Sequence, residues 1–296
     1  MITLAHISDI HLSPMPQIAW SDLVGKRITG FLNWKLKRNE ELNSETLANL
    51  VAHLKSQGAD FTAVTGDLVN LALDVEMDRA ARWLEALGPA DKIAVCPGNH
   101  DAYVPGALEV AQRAWGEYMM GETLDDDVFP FVRRIGELAV ISCSSAVPTR
   151  PFLAIGRFDE KQAERLAKIL KTLGEADYFR TVLIHHPPNP ELQHPSFGLK
   201  GNRLFRQVIA EHGAELVLHG HTHRSSIHSI PGKGREVPVV GVAAASAAQG
   251  GTLDDPARYN LFRIERSGEG WSCTMREYGF QRLGSEIVMR LQMRIS

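Results

Sequence analysis

Aspartate, asparagine and histidine recur in this chain just beyond short apolar runs, and these are residue types that hold transition metals. ITLAHIS leads to Asp9 and His11, FTAVTG to Asp67, and IAVCPG to Asn99 and His100. TVLI leads to His185 and His186, and ELVLHG to His221 and His223. Carboxylate, amide and imidazole donors together suit ions of the Mn, Fe and Zn group. So many donors predict a binuclear centre, whose chemistry is metal-assisted hydrolysis. A lone Asp-x-His or Gly-Asp is common in loops by chance. Five elements that each end in ligand-competent side chains are not.

Such runs read as buried parallel strands, and an open α/β sheet gathers its site at the carboxyl ends of its strands. The N-terminal half alternates strand and helix. A helix near 44–57 places Leu47, Leu50, Val51 and Leu54 on one face, and one near 74–87 does the same with Met77, Ala80, Ala81, Leu84 and Leu87. With strands at 60–65 and 92–96 this is a βαβαβ order, which predicts parallel strands and right-handed crossovers. The stretch after the first strand reads as irregular and basic to about Arg38. Further on come a helical region near 105–120, strands near 129–135 and 138–143, and a helix near 159–173. That last helix opens on Asp159 with Gln162 three residues on, the pattern of a capping box. Strand 179–184, helix 202–212 and strand 215–219 continue the rhythm, and from Ser226 the pattern is all β. Strands in both halves with helices outside predict two sheets packed face to face in one domain over 1–296.

Composition narrows the function. With 32 Lys and Arg against 35 Asp and Glu, the net charge of −3 argues against a nucleic-acid binder. Cys96, Cys143 and Cys273 lie far apart and form no metal-type pair; Cys96 and Cys143, inside apolar runs, are expected to be buried, and the odd count suits a reducing compartment. The first apolar run already carries His6 and Asp9, which leaves no room for a signal peptide, and no apolar run is long enough to span a membrane. A cytoplasmic location is the expectation. His6, His53, His194, His212 and His228 belong to no paired motif and read as core or surface residues.

The series Asp9-Ile10-His11, Gly66-Asp67, Gly98-Asn99-His100-Asp101, His185-His186-Pro187 and Gly220-His221-Thr222-His223 resembles the calcineurin-like metallophosphoesterases. The motifs stand in the family's order and span residues 9–223, about three quarters of the chain. The resemblance implies an α/β fold, a four-layer αββα sandwich of two mixed sheets flanked by helices. It implies one ion on Asp9, His11, Asp67 and His223, and a second on Asp67, Asn99, His185 and His221. Of the adjacent histidines, His185 fits the family's His-x-Pro pattern, leaving His186 to line the site. It also places His100 outside the metal shell, as the residue that donates to the transition state or protonates the leaving oxygen; the alternative is that His100 only orients Asn99.

Two ions about 3.5–4 Å apart hold a hydroxide nucleophile and a phosphoryl oxygen, so no covalent nucleophile is needed from the protein. The implied activity is phosphoester hydrolysis by two divalent or trivalent ions of Mn, Fe or Zn. Leu68-Val69-Asn70 after Asp67 matches neither the Asp-Arg-Gly of the protein serine/threonine phosphatases nor the tyrosine ligand of purple acid phosphatases. Chain length and His185-His186-Pro187-Pro188 look most like bacterial cyclic-nucleotide and glycerophosphodiester phosphodiesterases. The alternatives are a pyrophosphohydrolase of a nucleotide-linked lipid, a phosphomonoesterase, or a metal-binding scaffold of the same fold. The expected partner is a small phosphoester. Leu23–Arg38 carries five positive charges, no negative ones, and Phe31 and Trp34 among aliphatics. It reads as a packed helix, a substrate cap, or a peripheral membrane contact.

Overall fold

The computed structural model describes residues 1–18, 23, 25–34, 43–247, 255–268, 270–281 and 286–296. Strands β1 (Ile2–Ile7), β2 (Phe61–Val64) and β3 (Ile93–Val95) are short and almost wholly buried, because helices cover one face of their sheet and a second sheet the other. They pair in parallel, as the alternating pattern predicts. The helices between them are α2 (Ser44–Ser56), whose Leu47, Leu50 and Leu54 are buried, and α3 (Asp74–Leu87), which buries Met77, Ala80 and Leu84. The Asn43 side chain accepts from the backbone N–H groups of Glu45 and Thr46 and starts α2. Helix α4 (Ala107–Trp115) follows β3 and tightens into a 3-10 turn at Gly116–Met119.

The second sheet holds β4 (Phe131–Ile135), β5 (Leu138–Ser142), β7 (Phe179–Leu183), β9 (Leu216–His219), β10 (Ser226–Pro231) and β11 (Glu236–Gly241), in the order β10-β11-β9-β7-β5-β4. Its central strands face two cores at once. Val140 and Leu218 point to the core between the sheets, while their neighbours Ile141 and Val217 point to the core under α5 (Glu160–Glu175) and α6 (Asn202–His212). That period-two division makes the four layers, helices outside two sheets. A small parallel pair, β6 (Gly156–Arg157) with β8 (Leu199–Lys200), lies apart. The C-terminal strands β12 (Arg258–Ser267), β13 (Gly270–Phe280) and β14 (Ile287–Arg294) extend the first sheet antiparallel from β1, giving β14-β13-β12-β1-β2-β3.

Three sequence expectations change. The basic stretch is partly ordered as helix α1 (Lys26–Asn33), despite an interior glycine and β-branched residues. Tertiary contacts override that weak propensity: the Arg27 guanidinium donates to the carbonyls of Leu71 and Ala72. Lys35, Lys37 and Arg38 lie outside the described residues. The capping box at α5 is only half formed. Asp159 accepts from the Gln162 N–H, but the Gln162 amide turns away to exchange two hydrogen bonds with the Ser144 backbone. Strand β14 escaped the sequence reading because it is an exposed edge with little burial pattern. The three cysteines are buried, and among the described residues no helix is long and apolar enough to cross a membrane.

Candidate metal centre

All seven predicted ligands converge where the carboxyl ends of β1, β2 and β3 meet those of β7 and β9. His11 Nε2 lies 3.3 Å from His223 Nε2 and 3.8 Å from Asp67 Oδ2. His223 Nε2 is 3.3 Å from Asp9 Oδ1, and His185 Nε2 is 3.3 Å from Asp67 Oδ2. Asn99 Oδ1 stands 2.9 Å from His221 Nδ1 and 3.2 Å from His185 Nε2. The groups Asp9, His11, His223 and Asp9, Asp67, His185 each bring their donor atoms within 4.8 Å of one another.

The backbone reaches this arrangement through conformations L-residues rarely adopt. Asp9 (φ 53°), His11 (40°), Asp67 (56°), His221 (70°) and His223 (55°) all lie in the left-handed region. An extended Asp9-x-His11 would put both side chains on one side through its two-residue spacing, but the segment is not extended, and each ligand turns inward by its own backbone. Each such residue costs on the order of 1–3 kcal/mol, and such strain persists where the surroundings over-determine it. Glycines make room for it. A Cβ on Gly220 would overlap Ser8 Oγ and Asp9 Oδ2, and one on Gly98 would overlap the Asp67 carboxylate.

Second hydrogen bonds fix the imidazoles as metal ligands need. His185 Nδ1 donates to the Thr65 carbonyl (2.6 Å), His11 Nδ1 to that of Val69 (3.2 Å), and His221 Nε2 to that of Phe197 (2.8 Å). In each ring the other nitrogen then faces the cluster, the orientation typical of a metal-bound histidine. His186 is held differently. Its Nδ1 meets Ser145 Oγ at 2.7 Å and its Nε2 the Ala154 carbonyl at 3.1 Å, so both nitrogens are engaged within the protein. The donor set, its tautomers and its strained backbone fit a pair of ions.

Charge follows the same plan. Burial alone raises a carboxyl pKa, but His223 outweighs it at Asp9, and His185 with His100 outweighs it at Asp67, so both acids lie below the aspartate range. Burial pulls His185 down, yet Asp67 and Asp9 carry it up to about 9. Burial and the nearby His185 bring His221 down to about 4. His100 sits at the mouth, its ring edge-on to His11 (4.9 Å) and stacked on Tyr103 (5.3 Å). Its Nδ1 donates to the Asn70 carbonyl at 2.6 Å, which anchors the ring.

The family model for calcineurin-like phosphoesterases matches residues 2–225. The chain belongs to that family. Comparison with curated protein sequences finds no significant match. Among solved structures, a dimetal phosphatase from Danio rerio is 12% identical with a TM-score of 0.64, over 97% of this chain and 98% of that one. A purple acid phosphatase from yellow lupin is 13% identical with a TM-score of 0.58, over 100% of this chain and 53% of that one. At these identities the likeness is one of fold.

Two acidic residues of this calcineurin-like site escaped the sequence reading as site builders. Asp101 accepts the N–H groups of Gly98, Asp67, Leu68 and Val69, tying the Asp67 loop to the Asn99 loop. Glu76, buried at the third position of α3, accepts those of Asn70, Leu71 and Leu73 and so holds the carbonyl that orients His100. Position offers a weak signal for both. Asp101 closes the Gly98–Asp101 motif, and Glu76 stands where a first-turn carboxylate meets unpaired N–H groups. His6, read from the sequence as a core residue, and His219 are both buried, and burial first and the charge of His219 next hold His6 down to about 3.

Proposed function

We propose that this chain is a two-metal phosphoester hydrolase acting on phosphodiesters. The observation that carries the reading is the convergence of seven donor side chains on one cluster with His100 beside them. Asp9, His11, Asp67 and His223 would hold one ion, and Asp67, Asn99, His185 and His221 the other, with Asp67 common to both. His186, whose ring is satisfied by Ser145 and Ala154, supports the wall instead. Bound there, Mn, Fe or Zn ions would polarise the phosphoryl group and lower the pKa of water so that it attacks at neutral pH.

The protein's own part is positioning and proton transfer. As the bond from water oxygen to phosphorus forms and the bond to the leaving oxygen breaks, His100 Nε2 would protonate that oxygen while Nδ1 stays anchored to Asn70. A diester suits the site better than a monoester. Among the described residues Lys26 is the one cation lining the cavity beside His100, where a dianionic phosphate would call for more. The test is a hydrolysis panel on manganese-loaded protein, with metal content measured in parallel. Bis(p-nitrophenyl) phosphate is expected to be turned over faster than p-nitrophenyl phosphate, and chelation to abolish both. A clear preference for the monoester overturns the diester reading, and activity indifferent to chelator overturns the metal reading.

A further inference from the structure

Beside His100 opens a cavity of about 310 Å³, within the range of small-molecule pockets at roughly 300–1,000 Å³. Helix α1, His100 with Tyr103, and the chain at Phe152 and Phe197 wall it. Three features there bear on what the cavity could hold. Lys26 Nζ lies 4.2 Å from the Tyr103 ring centroid and donates to Thr149 Oγ1 at 2.7 Å and the Leu153 carbonyl at 3.3 Å. These hydrogen-bond and ring partners are neutral; the Asp67 charge acts on the ammonium, and among the described residues no carboxylate forms an ion pair with it. Gly30 sits mid-helix, where glycine is unfavourable, because a Cβ there would overlap the Tyr103 hydroxyl and Leu71. That close approach presses α1 onto Tyr103 and delivers Lys26 to the ring. Phe152 is 87% exposed and held at φ 65°, a backbone region phenylalanine rarely enters, and Phe197 is 46% exposed on the same cavity. Apolar rings turned to solvent at a pocket mouth are a surface for a ligand's flat or apolar body.

We infer that this cavity is the leaving-group subsite, and that Lys26 makes it select leaving groups that join an aromatic body to a second anionic group. The inference rests on the phosphodiesterase reading, since His100 faces the cavity and protonates the leaving oxygen. Lys26 is a specificity-determining residue, touching the departing group rather than the phosphorus. The anion would replace the neutral acceptors of the ammonium, and Phe152 and Phe197 would flank the ring.

The test pairs two diesters that differ in one charge: methyl 4-carboxyphenyl phosphate and methyl 4-carbamoylphenyl phosphate. The wild-type protein is expected to favour the carboxylate by about 10-fold or more in kcat/KM, as charge-assisted hydrogen bonding allows. Lys26→Gln should collapse that preference through KM, and Lys26→Arg should restore most of it. Phe152→Ser should weaken both substrates alike. No preference in the wild type, or equal losses on both in Lys26→Gln, overturns the inference. Calorimetric binding of 4-carboxybenzylphosphonate against its carboxamide separates this from the hydrolase reading, because neither compound is turned over. A charge preference in binding that Lys26→Gln removes supports the subsite even if no diester is hydrolysed, and equal binding of the two by wild type refutes it.

Discussion

Asp101→Asn changes one atom and should unfasten the centre without touching a proposed ligand. Asp101 Oδ2 accepts from Gly98 N (2.8 Å) and Asp67 N (2.9 Å), and Oδ1 from Leu68 N (2.9 Å) and Val69 N (3.4 Å). Burial and the neighbouring Asp67 push this acid up to about 7, while the Gly98 and Leu68 N–H groups pull it back, so at pH 8 it is a carboxylate. An amide keeps the shape and turns one acceptor into a donor. Whichever oxygen is replaced, two backbone N–H groups then face an NH₂. The less harmful placement gives up Leu68 and the longer bond to Val69. A hydrogen bond to a charged acceptor is worth about 1.5–3 kcal/mol, and a buried unsatisfied donor costs about 1–3 kcal/mol. The variant should therefore lose roughly 3 kcal/mol, enough to measure and too little to unfold a domain of ordinary stability, about 5–15 kcal/mol. Urea unfolding at pH 8 reads the loss, and metal titration should show affinity weakened by about 10–100-fold as the Asp67 loop loosens. Stability within 0.5 kcal/mol of wild type, taken as roughly the noise of a neutral surface change, would falsify the claim that Asp101 holds the two loops together.

Other outcomes follow from the same geometry. His185, raised to about 9 in the metal-free protein, must give up a proton to act as a ligand. Its proton stabilises the metal-free fold fully below the ordinary histidine pKa, and that contribution fades as pH rises through about 9. Metal affinity moves the opposite way, climbing toward tenfold per pH unit up to about 9. Calorimetry in buffers of different ionisation enthalpy should detect the released proton at pH 7.5, and pH-independent affinity between pH 6 and 8.5 contradicts the assignment. His100→Ala should lower kcat by about 10²–10⁴-fold with metal content unchanged, whereas loss of activity in step with loss of metal returns His100 to a supporting role. Gly220→Ala, whose new methyl meets Ser8 and Asp9, should destabilise by about 1–3 kcal/mol and deplete metal; Ser8→Gly in the same chain should recover part of the stability, and wild-type metal content in the single variant removes the packing argument.

The residues with the richest chemistry were readable before any fold was known, because each follows an apolar run whose burial fixes it at a strand end. Asp9, Asp67, Asn99, His185 and His221 needed only the rule that parallel strands present their carboxyl ends together. Helices α2 and α3 were equally legible, since Leu47, Leu50 and Leu54, or Met77, Ala80 and Leu84, keep one apolar face. Local pattern could not settle what depends on partners far along the chain. Sequence adjacency leaves His185 and His186 alike. In the fold the carbonyl of Thr65, 120 residues away, takes His185 Nδ1, while His186 has its Nδ1 on the Ser145 hydroxyl, 41 away, and its Nε2 on the Ala154 carbonyl. Asp9 and His11 looked extended, and the meeting of β1 with β9 at Gly220 turned each into the left-handed region. Asp101 was legible only as the end of a motif and Glu76 not at all, because the N–H groups they accept come from loops that the fold brings to them. Helix α1 is the plainest case. Its propensity is poor and its interior glycine argues against it, and it forms because Arg27, Lys26 and Gly30 find partners in loops brought near by both sheets. Types and spacing determined which atoms could do the chemistry, because burial pattern is local. Packing between distant segments decided which nitrogen points at the centre, since a hydrogen-bond partner exists only once the chain has closed around it.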